Sequence, residues 1–119
     1  MSGGEIRSYR DLKVWQQAMD LAEVCYRLTR GFPKDELYGM VSQIRRAAAS
    51  VPANIAEGHG RNSRGEYIQF LRVAQGSLKE LETHLLLAQR VGLSTEKDVG
   101  EILGKILRAL IRSVDAGRA

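Results

Sequence analysis

Apolar residues recur at helical spacing through four segments of this chain, and no stretch alternates as a strand does. The first segment runs from about Asp11 to Thr29. At 100° per residue, its apolar side chains from Leu12 through Trp15, Met19, Cys25 and Tyr26 to Leu28 cover about half the circumference. A stripe of roughly 100° is enough to face one core, so this width predicts a second packing surface on the same helix. Gly31 and Pro33 end it, and Asp35 is the expected N-cap of the second segment. That segment carries an apolar seam at Met40, Ile44, Ala48, Val51 and Ile55 as far as Gly58 and Gly60. The third starts at Asn62 or Ser63, with Glu66 at capping-box distance from Ser63. It repeats Tyr67, Leu71, Ala74, Leu78, Leu81, Leu85 and Ala88, and closes at Gly92. The fourth starts at Ser94 or Thr95 and carries a broad stripe from Val99 to Val114. Short links between helices of roughly 30 Å predict an all-α, antiparallel up-down-up-down four-helix bundle. It spans residues 9–115, with a flexible leader at 1–8 and a tail at 116–119.

The second segment poses a local problem in SVPANIAEG, residues 50–58. Pro52 removes a backbone donor and should break a helix, yet the apolar seam continues straight through it. A kinked helix is therefore expected here rather than a loop. Beside the apolar seam lies a polar one at heptad spacing: Gln43, Ser50, Asn54 and Glu57. Asn54 can donate to a nearby backbone carbonyl and Ser50 can bond back likewise, repairing the backbone around the proline. Glu57 at a helix C-terminus needs a cation beside it, from Arg61, Arg64 or a neighbouring chain. Arg46 falls opposite Gly76, where an interhelical salt bridge to Glu80 is expected. The seam thus organises packing or a subunit interface in preference to forming a ligand pocket.

Composition narrows the remaining chemistry. The chain has 119 residues, one cysteine and a net charge of +4. A lone cysteine excludes an internal disulfide and a multi-cysteine metal site, which suits a reducing cytoplasm. No apolar run approaches the roughly 18 residues of a membrane span. Cys25 lies on the apolar arc and reads as a small buried hydrophobe. His59 and His84 lack metal-ligand spacing, and a grouping of Asn54, Glu57 and His59 has no nucleophile, phosphate loop or metal set beside it. No enzyme and no cofactor are expected. The basic excess is spread along the chain except at the turn holding Arg61 and Arg64, which has no acid. Those two and Arg45, which points away from the apolar seam, are the candidate phosphate contacts.

Three blocks carry a family resemblance: Ser42-Gln43-Ile44-Arg45-Arg46, Asn54-Ile55-Ala56-Glu57-Gly58, and Gly76-Ser77-Leu78 followed by Glu80-Leu81-Glu82. Within Tyr9 to Val114 the chain resembles the four-helix-bundle proteins encoded in intervening sequences of bacterial 23S ribosomal RNA genes. The resemblance implies a ring-shaped homopentamer and kinship with the accessory protein of diversity-generating retroelements, a basic barrel that partners a reverse transcriptase and binds nucleic acid. It brings no catalytic residues. A subunit interface through Trp15, Met19 and Tyr26 would use the second surface of the first helix. Five copies of +4 would also turn a weak patch into a polyanion surface. Two functions follow: RNA or DNA binding, with RNA preferred, or a scaffold for a protein partner such as a polymerase.

Overall fold

The computed structural model describes residues 5–114, and they form helices throughout, with no strand among them. The first four residues of the leader expected at 1–8, and the tail at 116–119, lie outside the described residues. A short 3₁₀ turn, Tyr9–Asp11, precedes α1, Lys13–Thr29. Ser8 caps that turn, accepting from the Arg10 amide at 3.1 Å, while the Asp11 carboxylate accepts from the amides of Arg7 and Ser8. Residues 7 and 8 are thereby fastened to the turn that precedes α1.

The second rod is less regular than its pattern suggests. Lys34–Glu36 is a 3₁₀ turn and Leu37–Val41 a π turn, and α2 proper is Ser42–His59. Asp35 is not the cap expected from its position. Glu36 supplies the capping carboxylate, accepting from the Met40 amide at 3.2 Å. The backbone departs from helical geometry at Gly39 (φ −107°, ψ −108°), whereas Pro52 sits inside one unbroken helix.

α3, Arg64–Arg90, is the longest element, at 27 residues. Ser63 caps it, accepting from the Glu66 amide at 3.1 Å. Its other end closes on Gly92 at φ +86°, with Leu93 N–H donating to Ala88 O at 2.8 Å and Gly92 N–H to Gln89 O at 3.1 Å. This double bond over the last turn satisfies carbonyls that the helix leaves open, and it needs the left-handed residue that glycine supplies. Thr95 caps the last rod, which is α4 (Glu96–Glu101), a π stretch (Ile102–Leu107) and α5 (Arg108–Ser113) in line.

Contacts between ends establish the direction of each rod. Arg45 near the start of α2 meets Thr29 at the end of α1, and Gly58 near the end of α2 lies against Tyr67 and Phe70 at the start of α3. Ile111 of α5 borders Gln75, Gly76 and Lys79 midway along α3. The rods therefore alternate up and down around one core, which holds Leu21, Ile44, Val51, Ile55, Leu71, Leu78, Leu81, Leu85, Leu107 and Leu110.

Candidate nucleic-acid interface

The polar seam of α2 faces α3 in its middle. Asn54 Nδ2 donates to Ser50 O at 2.8 Å and to Ser50 Oγ at 3.0 Å, and Ser50 Oγ pairs with Ser77 Oγ across the helix interface at 2.7 Å. The carbonyl that Pro52 leaves without its helical donor is that of Ala48, four residues earlier, so these bonds do not replace the missing one and instead tie the α2 side chains to Ser77 of α3. Ser50 and Asn54, both half-buried, thus find their partners within a single chain. Lower down, the two helices approach so closely at Gly58 that an added Cβ would stand 2.6 Å from Phe70 Cβ. Sequence reading took Gly58 only as a helix end. It is a buried contact point inside α2.

The outer members of the seam are arranged differently from expectation. Arg46 does not reach Glu80. Its guanidinium donates to Gln43 Oε1 at 2.8 Å one turn away on the same helix, and Glu80 sits 3.4 Å from His84 Nε2 on its own helix. Each charge is met locally, at the three- and four-residue spacing that places side chains together on a helix surface. Glu57 is met by Arg61, at 2.9 Å.

The three arginines expected to contact phosphate differ in how they are held. Arg45 is not the outward-pointing cation its helical position suggested. It bridges to α1, donating from Nε to Thr29 Oγ1 at 2.8 Å and from Nη2 to Tyr26 O at 3.3 Å, with its guanidinium 4.6 Å from the Tyr26 ring centroid. Buried Thr29 in turn donates to Cys25 O at 2.9 Å, so the arginine completes a polar joint between α1 and α2. Arg61 has an acid nearby after all, Glu57, and lies 4.9 Å from the Phe70 ring centroid. Arg64 is exposed at the first turn of α3. Burial pushes the Tyr67 hydroxyl pKa up, and the positive charge of Arg64 draws it part of the way back.

Folding also regroups charge that looked diffuse along the chain. A cut across the middle of the four rods leaves residues 22–52 and 75–104 in one half, with eight basic and eight acidic side chains. The other half, residues 5–21, 53–74 and 105–114, holds nine basic and five acidic. The +4 of the described residues therefore falls in the rod halves nearer the α2–α3 turn and the first turn of α1, and its last part, 105–114, reaches back to the middle of α3, where Ile111 borders Gln75, Gly76 and Lys79.

On a different side, Trp15, Met19 and Tyr26 of α1 line a groove of about 560 Å³ whose opposite wall is Ala49, Pro52, Ala53 and Ala56 of α2. Met19 is 44% and Tyr26 40% exposed. This is the second surface that the wide apolar arc of α1 required. Among the described residues no cluster of histidine, cysteine, aspartate and glutamate is suited to hold a metal, and no helix is long and apolar enough to cross a membrane.

The model of the 23S rRNA-intervening sequence protein family matches residues 10–111. A crystal structure of a protein of unknown function from the S23 ribosomal protein family of Bacteroides thetaiotaomicron superposes with a TM-score of 0.71 at 25% identity, covering 86% of this chain and 98% of that one. No curated protein matches the chain.

Proposed function

Because the chain belongs to the 23S rRNA-intervening sequence protein family, we propose that it is a non-enzymatic, self-associating protein that binds RNA through the basic half of its bundle. The observation that carries this reading is the segregation of charge: one half is balanced and the other holds the entire excess. Phosphate binding draws its free energy from several cations acting together, with release of condensed counterions. Clustering supplies such a set where an even spread would not. The groove beside Trp15, Met19 and Tyr26 supports self-association, since it offers an open apolar wall on a chain with a complete core of its own. A ring of five would bring +20 to one assembly.

Binding of a labelled RNA hairpin across a salt series, with mass measured by light scattering, tests both parts. A mass near five times 13.2 kDa and an affinity that falls steeply with salt are expected. An assembly that ignores RNA at physiological salt would leave a protein scaffold as the function, and RNA binding that is insensitive to salt would count against a basic surface as its site.

A further inference from the structure

We infer that RNA is held in the groove between α3 and α5, by Arg72 and Lys79 on one bank and Lys105, Arg108 and Arg112 on the other. This rests on the RNA-binding reading above and names a surface that starts in the basic half and extends past it to Lys79. Ile111 of α5 meets Gln75, Gly76 and Lys79 of α3 around a shallow depression of about 250 Å³. Arg108 and Arg112 flank Ile111 on its helix, while Arg72 and Lys79 flank Gln75 and Gly76 on theirs. All five cations are exposed. Neither bank contains an acid: residues 67–79 and 102–114 have no aspartate or glutamate. The side chains of these five make no hydrogen bond, ion pair or ring contact with any described residue. Arg45, Arg46 and Arg61 are by contrast each engaged within the chain.

The spacing is itself informative. Arg108 and Arg112 stand four residues apart on one face of α5, where like charges repel and weaken the helix, and Lys105 precedes them in the π stretch. A chain selected only for bundle stability gains nothing from that stripe, whereas an anionic backbone laid along it removes the repulsion. The stripe and the Arg72–Lys79 pair each run roughly 10 Å, at 1.5 Å per residue. Gly76 leaves the floor between them open, since a Cβ there would meet nothing within 4 Å. The occupant that matches two short rows of exposed cations over a shallow floor is a phosphodiester backbone, bound by charge and without base-specific pockets.

The test compares two double variants of the full-length protein that remove equal charge. Arg108→Gln with Arg112→Gln should lower affinity for the labelled hairpin about tenfold or more, and should flatten the slope of log affinity against log salt by about two. Arg30→Gln with Lys34→Gln, which removes exposed cations from the balanced half, should change neither. Neither variant should melt below the parent, because all four side chains are exposed and the Arg108–Arg112 repulsion is relieved. Equal losses from the two variants would overturn the groove in favour of net charge alone. Full affinity in Arg108→Gln with Arg112→Gln, alongside loss in Arg61→Gln with Arg64→Gln, would move the site to the α2–α3 turn and leave the RNA-binding reading standing. Absence of RNA binding by the parent protein would overturn both.

Discussion

Asn54 shows what single residues do here that spacing alone conveys only in part. Its position after Pro52 suggests a repair group, but its bonds at 2.8 and 3.0 Å go to Ser50 and not to the Ala48 carbonyl that the proline leaves without a donor. Replacing it with alanine removes two donated bonds and leaves the Ser50–Ser77 pair without its third member. At about 0.5–1.5 kcal/mol per hydrogen bond, a destabilisation of about 1–2 kcal/mol is expected, read as a lower midpoint in urea with an unchanged m-value. An unchanged midpoint would show the amide to be dispensable to the fold. Arg45 and Arg46 were harder to place from sequence. Their partners depend on side-chain reach across helices, to Thr29 for Arg45, and on a choice between Gln43 and Glu80 for Arg46, and periodicity encodes neither. Cys25 was legible, since a cysteine on an apolar arc is buried when that arc is. Desolvation raises its thiol from 9.0 to about 12. Between those values the unfolded chain has lost a proton that the folded chain keeps, so this group makes stability fall as pH rises above about 9 and contributes no pH dependence at neutrality. Iodoacetamide at pH 8 should therefore modify Cys25 only as fast as the protein opens. Rapid labelling of the folded protein would contradict its burial.

At the scale of elements, four rods and their order follow from hydrophobic period and glycine punctuation, while their irregular turns do not. The heptad seam of α3 gives the longest helix directly. The π turns at Leu37–Val41 and Ile102–Leu107 leave no mark in that pattern, because a π turn adds a residue without changing which residues are apolar. Gly58 was legible as a glycine and misread as to purpose. Helix-ending glycines and close-approach glycines look alike in sequence, and only the position of Phe70 separates them. Gly58→Ala places a methyl 2.6 Å from Phe70 Cβ and 3.3 Å from the Tyr67 carbonyl, neither of which is the flexible end of a side chain. The helices must part, and overpacking of this kind costs about 1–3 kcal/mol. Gly60→Ala is the matched control, with its nearest neighbour at 3.6 Å. The pair should separate clearly in thermal melts, and equal melting temperatures would show that α2 and α3 are not held together at that point.

For the whole molecule, what matters is which surfaces remain once the core is closed. Sequence supplied the wide arc of α1 and therefore the existence of a second apolar face. Its far wall could not be read, because Ala49, Ala53 and Ala56 are small residues that look like helix filler until Trp15 and Met19 are seen opposite them. Net charge was legible too, but its grouping appears only when antiparallel rods set residues 5–21, 53–74 and 105–114 alongside one another. The two surfaces make separable demands, and Met19→Asp divides them. With Met19 44% exposed in the single chain, an aspartate there stays hydrated and the fold should persist with native helicity. Buried between two copies, the same carboxylate would lose its water without gaining a partner, a cost that an interface does not recover. The variant should therefore run at the mass of one chain, 13.2 kDa. Its RNA affinity should fall along with its salt dependence, because fewer cations then act on one RNA. Where the parent runs above the mass of one chain, retention of that mass by Met19→Asp would remove this groove from the proposed assembly.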